Sequence, residues 1–489
     1  MISSVAMLVG MAVVRLGTGE ATDVYGLFPP GAPVNSTLTV TLLNRRDIGG
    51  LGIRADSPGL VFKARGDGAG FDLEVGTNVA VGPHLVRVYD SNGVSRPLCF
   101  VVSQMPELTL DAPKVASDRV MSLSQLPMVV NGRFPTGGGS QAFEVELGAS
   151  RVFDATLVAN RLDSPLHIDL TLKDSDGNEL SPVLHTNDLD RHVAWTTATA
   201  GKYRLDLSRA VESSTNPPPP PEALAGVYRL TLQDDPLPAA LTNQVQAPDV
   251  RVQSAYAYSS PVSFPSKVES RIEFPAERGR YAFHARQGEQ FSFMVHAGTL
   301  DSPLIPVIEI LDEAFFTIAQ AGPGPELEMV WTAPAGGTYE FMITDSRGLG
   351  GSTYRYQIEF GTPVPGYRIV LNQHAVRLRV GETQKLTATV THPRYARGVT
   401  QLLAIDLPEG VTGTGGPVPP DGGEVEVTIS AGPSVQPSSQ PFRVILMELG
   451  ENVPRLTIAR APFEGHYAGR GDLLLNETEQ IWITVLAAR

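Results

Sequence analysis

Carboxylate and amide side chains follow one another in Asp174-Ser-Asp176-Gly-Asn178, which is the order in which a calcium loop begins. An EF-hand loop needs glycine at its sixth position and glutamate at its twelfth, whereas Gly177 stands at position four of this segment. A tight Asp-Gly turn between two strands explains the same residues, and we interpret the segment as that turn. Asp174, Asp176 and Asn178 are the only calcium candidates, and no other metal or cofactor is predicted.

Reactive side chains elsewhere in the sequence form no catalytic motif. A serine hydrolase of the α/β type carries its nucleophile in Gly-x-Ser-x-Gly, and a zinc peptidase helix reads His-Glu-x-x-His; neither occurs. The nine histidines stand apart from one another. The single cysteine, Cys99, lies in an apolar run, where we expect a small buried side chain. The sequence therefore predicts no catalytic residues and a protein that is not an enzyme.

The composition restricts the partners. The 489 residues carry a formal net charge of -14, and binding to phosphate backbones requires clustered lysine and arginine, which this sequence lacks. Nucleic acid is therefore excluded from the expected partners. The 48 glycines and 40 prolines exceed the usual share of these residues, which favours short strands joined by turns over long helices.

An apolar run of ten residues occupies positions 5–14. It is too short to span a bilayer and has the length of a signal-peptide core, although no basic residue precedes it. We interpret residues 1–21 as the remnant of a signal peptide, and the alternative is a buried N-terminal segment. No stretch reaches the ~20 apolar residues of a membrane helix, so no membrane span is predicted.

Two stretches of the chain repeat one another. Leu162-Asp-Ser-Pro-Leu166 recurs as Leu300-Asp-Ser-Pro-Leu304, an offset of 138 residues (300 − 162). Further on, Trp195-Thr-Thr-Ala-Thr-Ala-Gly matches Trp331-Thr-Ala-Pro-Ala-Gly-Gly in the same order. An identity of five residues followed by matching tryptophans indicates an internal duplication.

Both copies end in a strand that begins with Tyr-Arg, namely Tyr228-Arg-Leu-Thr-Leu232 and Tyr354-Arg-Tyr-Gln-Ile358. Strand patterns with alternating apolar residues dominate each copy and also the regions outside them, as in residues 38–42 and 424–429. A single sheet of that kind would leave an apolar face in water, whereas two sheets packed face to face bury both. The predicted fold class is therefore all-β, a string of β-sandwich domains with Trp195 and Trp331 as core anchors.

The repeats resemble the bacterial pre-peptidase C-terminal domain. The matching elements are Val130-Asn-Gly-Arg133, Leu162-Asp-Ser-Pro-Leu166, residues 172–180 and the strand that starts at Trp195. The resemblance implies two tandem jelly-roll-like sandwiches of an extracytoplasmic protein, often appended to peptidases and without catalysis of their own. Relatives among collagenase binding domains bind Ca²⁺ and substrate. The family usually has an acidic pair before the first core strand, and Gly137-Gly-Gly-Ser-Gln-Ala-Phe143 replaces it here.

The front of the chain is similar to an immunoglobulin-like IPT/TIG module, on Leu27-Phe-Pro-Pro-Gly31 and Val81-Gly-Pro-His-Leu-Val-Arg87. The end of the chain resembles bacterial immunoglobulin-like folds. After the signal remnant, the expected domains are residues 22–104 (IPT/TIG-like), 115–235 and 255–362 (the two repeats), and 364–489 (immunoglobulin-like).

These observations predict an extracytoplasmic binding, adhesion or scaffold protein at the cell surface or in the periplasm. Its expected partner is an extracellular protein or polysaccharide. The alternative is the accessory portion of a secreted peptidase whose catalytic domain lies elsewhere, so that a peptidase would be the partner. A hydrolase with an unrecognised site is a third reading, which clustered carboxylates in a groove would favour.

Overall fold

The computed structural model describes most of the chain between residues 24 and 488. The described residues are 24–43, 48–79, 82–110, 120–134, 140–180, 183–184, 190–209, 226–236, 260–274, 277–300, 302–313, 317–324, 326–346, 349–362, 367–391, 399–419, 422–449, 455–467 and 473–488. The apolar run at 5–14 and the predicted signal remnant at 1–21 lie outside them. No helix in the described ranges is long and apolar enough to cross a membrane.

The architecture is all-β, as the alternating patterns predict, and the strands form paired sheets around four hydrophobic cores. The first core lies between two four-stranded sheets, in the orders β1-β3-β6-β5 and β2-β8-β7-β4. Their strands are β1 Leu27–Phe28, β2 Gly31–Pro33, β3 Ser36–Leu42, β4 Gly52–Ala55, β5 Leu60–Ala64, β6 Phe71–Val75, β7 Gly82–Tyr89 and β8 Leu98–Ser103.

The second sandwich packs the sheet β10-β12-β17-β14 on the sheet β15-β16-β13-β18-β11-β9. The first of its strands, β9, precedes residue 115 and adds parallel to β11 at the edge of the second sheet. The strands are β9 Glu107–Leu110, β10 Val120–Leu123, β11 Met128–Phe134, β12 Ser140–Leu147, β13 Arg151–Val158, β14 Ile168–Lys173, β15 Val183–Leu184, β16 Arg191–Thr197, β17 Gly201–Arg209 and β18 Gly226–Pro236. A 3-10 turn spans Asn160–Leu162.

The third sandwich packs β19-β21-β26-β23-β24 on β20-β27-β22-β25, and aromatic rings fill much of its core. Its strands are β19 Ser260–Pro261, β20 Ser266–Arg271, β21 Gly279–Ala285, β22 Gln290–His296, β23 Pro306–Leu311, β24 Thr317–Ala321, β25 Glu326–Thr332, β26 Gly337–Asp345 and β27 Arg355–Gly361. A 3-10 turn spans Gly298–Leu300.

The duplicated sequence adopts the same pairing twice. Phe153 stands opposite Trp195 between β13 and β16, and Phe291 stands opposite Trp331 between β22 and β25. Both indole rings pack against the core of their own sandwich; Trp195 is half-buried and Trp331 is 8% exposed. The matching surroundings of these two residues, on which the interpretation of a duplication depends, are present in the structure.

The closing strands require one correction. Leu157 pairs with Leu230, and its counterpart Val295 pairs with Ile358. The structural counterpart of Tyr228 is therefore Tyr356, two residues beyond the Tyr-Arg pair that the sequence comparison aligned with it. A shift of two residues keeps every side chain on its original face of the sheet, so the strand pattern by itself could not reveal the displacement.

The fourth sandwich is one continuous sheet folded over its core. Strand β34 joins the two layers, because its first half pairs with β38 and its second half with β31. The strand order is β28-β30-β33-β32-β31-β34-β38-β29, with β35 beside β34 and the pair β36-β37 apart. The strands are β28 Arg368–Leu371, β29 Ala375–Arg379, β30 Thr383–Thr391, β31 Val399–Ile405, β32 Val411–Pro417, β33 Gly423–Ala431, β34 Ser438–Leu449, β35 Arg455–Ile458, β36 Ala461–Pro462, β37 Glu477–Thr478 and β38 Ile481–Leu486.

Candidate functional site

The calcium candidates form a turn directly after β14. Asp174 Oδ1 accepts hydrogen bonds from the backbone N–H groups of Asp176 (3.0 Å) and Asn178 (2.8 Å), and Asp174 Oδ2 accepts one from Asn178 Nδ2 (3.0 Å). Gly177 has a φ of 83°, which glycine adopts without the steric cost that other residues meet. Both carboxylate oxygens of Asp174 are thus engaged by the turn itself, in the geometry of an Asx turn.

The same bonds explain the electrostatics of this turn. The hydrogen bond from the Asn178 side chain, followed by those from backbone N–H groups, lowers the pKa of Asp174 below its ordinary value. Asp176 is exposed. Within the described ranges, no group of three or more His, Cys, Asp or Glu side chains is arranged to hold a metal ion.

Five histidines in the described part of the chain lie beside charged groups, and two of these pairs are His84 with Asp56 and His167 with Arg191. His296 Nδ1 is 2.5 Å from Glu326 Oε2, and this hydrogen bond raises the pKa of His296 above its ordinary value. His374 lies against Arg87, and His466 lies against Asp163. Cys99 on β8 is half-buried rather than fully buried, because it alternates with the core-facing residues of its strand.

A buried polar cluster lies where the first sandwich meets the second. Arg229 on β18 donates to both carboxylate oxygens of Glu107 on β9, at 2.7 and 2.8 Å, and to Asn131 Oδ1 at 3.0 Å. The side chains of Arg229 and Glu107 are each only 4% exposed. Glu107 also accepts from Ser103 of the first sandwich at 2.5 Å, and Asn131 donates to Gly31 O at 3.3 Å. The ion pair of the second sandwich is therefore bonded directly to the first.

Apolar contacts surround this cluster. Phe28 and Leu43 of the first sandwich form a small buried core with Val227 of the second, and the guanidinium of Arg133 lies 4.9 Å from the centre of the Phe28 ring. Burial of such side chains stabilises the junction, and the cation above the ring adds an attraction of its own. The two sandwiches consequently share one continuous interface instead of being joined only by the chain.

The fourth sandwich returns to contact the first. Arg87 on β7 donates to His374 Nδ1 at 3.2 Å and to His374 O at 3.3 Å. The Trp482 ring packs against Tyr89 at a centroid distance of 4.9 Å, and its indole donates to Ser439 Oγ at 2.8 Å. Trp482, the largest side chain of the fourth sandwich, is only 1% exposed, and the first sandwich provides part of the surface that buries it.

The repeated Leu-Asp-Ser-Pro-Leu segment supplies a further junction. Asp163 of the first copy has a φ of 60° and accepts from both the backbone N–H and the Nδ1 of His466, at 2.8 and 2.5 Å. Tyr25 of the first sandwich lies 4.6 Å from the His466 ring. Three sandwiches meet at this imidazole. In the second copy, the turn Gly298–Leu300 packs against β7, so both copies direct this segment towards the first sandwich.

A shallow cleft of about 230 Å³ lies between the first and fourth sandwiches. Its lining comprises a tyrosine ring, an aspartate, three serines and small residues: Gly50, Gly52, Tyr89, Asp90, Ser91, Pro437, Ser438 and Ser439. The buried Ser438 hydroxyl has no hydrogen-bond partner within the described chain. The lining has no pair of acid and base groups that could perform hydrolysis.

The sequence patterns did not reveal these junctions, because most of their contacts join residues between 100 and 303 positions apart, whose local surroundings are ordinary strands. One signal was available. Arg229, Arg87 and Glu107 are charged residues within alternating strand patterns, and Arg229 stands in a run of otherwise apolar and hydroxylated residues. A charge in such a strand requires a partner when it is buried, but the sequence does not say which.

Comparison with known proteins adds remote likenesses. No protein-family model and no curated protein matches the chain. The pre-peptidase C-terminal domain of a collagenase from Bacillus anthracis is similar to 21% of this chain and 94% of its own, at 12% identity and a TM-score of 0.18. The N-terminal four immunoglobulin domains of Dscam1 isoform 4.44 align with 94% of this chain and 97% of their own, at 8% identity and a TM-score of 0.17. Eight N-terminal immunoglobulin domains of DSCAM align with 90% of this chain and 50% of theirs, at 8% identity and a TM-score of 0.15. Likenesses with TM-scores and identities this low support no inference about function.

Proposed function

We propose that the chain is a non-catalytic, extracytoplasmic scaffold whose four β-sandwiches form one body and present sheet edges and loops to an extracellular protein or polysaccharide. The observation that carries this proposal is the buried ion pair between Glu107 and Arg229, bonded through Ser103 and Asn131 to the first sandwich. A buried and fully bonded polar cluster tolerates few alternative arrangements, so it fixes how the sandwiches meet. Domains joined only by flexible linkers would not require a buried polar cluster at their junction.

The junctions of the fourth sandwich support the same proposal. Through His374 and His466 it contacts the first and second sandwiches at once. Each contact uses a histidine that could otherwise have been a candidate for acid–base chemistry. The imidazoles therefore have a positional role, which agrees with a binding protein better than with a hydrolase.

The test uses the full chain in the cell that encodes it. An epitope-tagged chain is expected to be cleaved when protease is added to intact cells, and purified labelled chain is expected to bind saturably to those cells or to their extracellular polymer. Recovery of the chain only in the cytosol would overturn the proposal. Turnover of a peptide or glycoside substrate by purified chain, abolished by a point substitution, would also overturn it.

A second candidate function is the accessory portion of a secreted peptidase, with a peptidase as the partner. The repeated sequence that starts at Leu162 and at Leu300 favours it, because it resembles a domain often appended to peptidases. The discriminating measurement is copurification of a peptidase with the tagged chain from culture medium. A peptidase present in stoichiometric amount would favour the accessory role over the stand-alone scaffold.

A further inference from the structure

The two copies of the duplicated sandwich differ at one sheet edge. In the first copy, β15 closes the outer edge of β16, with Val183 opposite Ala194 and Leu184 opposite Val193. In the second copy, the corresponding segment is β24, which pairs with β23 in the other sheet. Strand β25, the counterpart of β16, is therefore the last strand of its sheet among the described residues. The molecule itself shows, in its first copy, that a short extended segment fits this edge.

The backbone of β25 is oriented to accept such a segment. Ala333 N donates to Glu289 O at 2.9 Å, and the register between β22 and β25 continues unbroken from Gln290–Thr332 to His296–Glu326. In an antiparallel ladder, residues that bond across the ladder alternate with residues that do not. Glu328 and Val330 consequently direct their N–H and C=O groups away from β22, towards the outer edge.

Side-chain exposure shows that the outer face of β25 is open to solvent. Val330 is 56% exposed, and among the large apolar side chains of the described residues only Leu456 is more exposed. Trp331, next to it, is 8% exposed and belongs to the core, so the strand itself is firmly anchored. The counterpart of Val330 in the first copy is Ala194, which pairs with Val183 of β15. The exposed valine thus stands at the position where the first copy is closed.

The charge of the edge specifies what would pair with it. Glu326 and Glu328 lie on the same exposed face as Val330. Glu326 is bonded to His296, whereas Glu328 forms no ion pair within the described part of the chain. Charged residues on an edge strand discourage pairing with like strands, so two copies of β25 would gain little from pairing with each other. A strand that places a basic residue opposite Glu328 and an apolar residue opposite Val330 complements the edge.

We propose that β25 is a docking edge that binds an extended peptide segment of a partner protein, in which a basic and an apolar residue stand two positions apart on the same face, by adding it as a strand to the sheet. This mode of recognition uses backbone hydrogen bonds for affinity and alternate side chains for specificity. The inference rests on the proposed scaffold function and names one class of partner for it.

The experiment is titration of the full chain with a synthetic peptide of about ten residues, in which every second residue is in turn lysine or valine and the residues between them are threonine, followed by calorimetry and amide hydrogen exchange. Saturable binding is expected, with new protection at the amides of Glu328 and Val330. The amides of Met329 and Trp331 are protected in the free chain and should not change. Glu328→Lys should weaken binding at least about tenfold. Glu74→Lys, the same charge change on an inner strand of the first sandwich, should leave it unaltered.

A second peptide separates strand addition from simple charge attraction. Methylation of its alternate backbone nitrogens keeps every charge but removes the N–H groups that would pair with β25. Loss of binding by this peptide supports the proposal, and equal binding overturns it. The chain could also self-associate in a concentration-dependent way that Glu328→Lys abolishes. That result would identify a second copy as the occupant of the edge and would overturn the proposal as well. If the chain is exposed on intact cells but does not bind the peptide, this inference alone is overturned. If the chain is recovered only in the cytosol, the scaffold function is overturned.

Discussion

Substitution of Arg229 by methionine should strongly destabilise the second sandwich. The substitution keeps much of the aliphatic volume but removes the guanidinium that donates to both oxygens of Glu107, at 2.7 and 2.8 Å. Both side chains are 4% exposed, so water cannot replace the lost bonds without opening the junction. Removal of one partner of a buried ion pair typically costs about 3–5 kcal/mol, because the other charge stays buried and uncompensated. We expect a loss of that size in the free energy of unfolding.

The assay uses the distribution of tryptophans, because the three in the chain lie one each in the second, third and fourth sandwiches. In a background where Trp331 and Trp482 are replaced by phenylalanine, fluorescence of Trp195 reports unfolding of the second sandwich alone. Urea titration of this background with and without Arg229→Met gives the difference in unfolding free energy. The double variant with Glu107→Gln should recover part of the loss, because no buried charge then remains.

A matched control lies in the same sandwich. Lys202 and Glu144 form an ion pair at 2.8 Å whose side chains are 63% and 32% exposed. Exposed pairs contribute little because water screens them, so Lys202→Met should change the free energy of unfolding far less than Arg229→Met does. If Arg229→Met cost as little as Lys202→Met, burial would not determine the strength of the junction, and the reasoning behind the scaffold proposal would be refuted.

Three further predictions concern the junctions and the titratable groups. Asp163→Asn, which tolerates the φ of 60° but removes the charge facing His466, should cost about 1–3 kcal/mol and increase the radius of gyration in solution scattering; an unchanged radius would contradict the role of this contact. Calcium should leave the melting temperature unchanged, because the turn itself engages both oxygens of Asp174, and a rise that chelator reverses would show otherwise. The bond to Glu326 raises the pKa of His296, so its stabilising effect is fully present below the ordinary value of 6.5 and is lost as pH rises through the higher folded pKa. Unfolding followed by Trp331 should show this loss, and His296→Gln should remove it.

The all-β class and the duplication were predictable from the sequence because both depend only on the order of residues along the chain. Alternation of apolar residues indicates which face of a strand is buried. The offset between matching residues such as Trp195 and Trp331 reveals the duplication without any knowledge of where the strands lie in space. The turn at Asp174–Asn178 was likewise predictable, since its hydrogen bonds close within five residues. The predicted calcium ligands and the extracytoplasmic location remain predictions.

The register of the last repeat strand and the choice of sheet edge were decided by tertiary structure. A displacement by two residues preserves the alternating pattern, so only the pairing of Val295 with Ile358 distinguishes Tyr356 from the residue two positions before it. In the same way, β15 and β24 are similar short strands, and their different sheets follow from packing on distant neighbours. The local pattern of apolar and polar residues indicates which side chains are buried. The partner of a buried side chain, such as Glu107 for Arg229, lies on a chain segment that only the folded structure brings close.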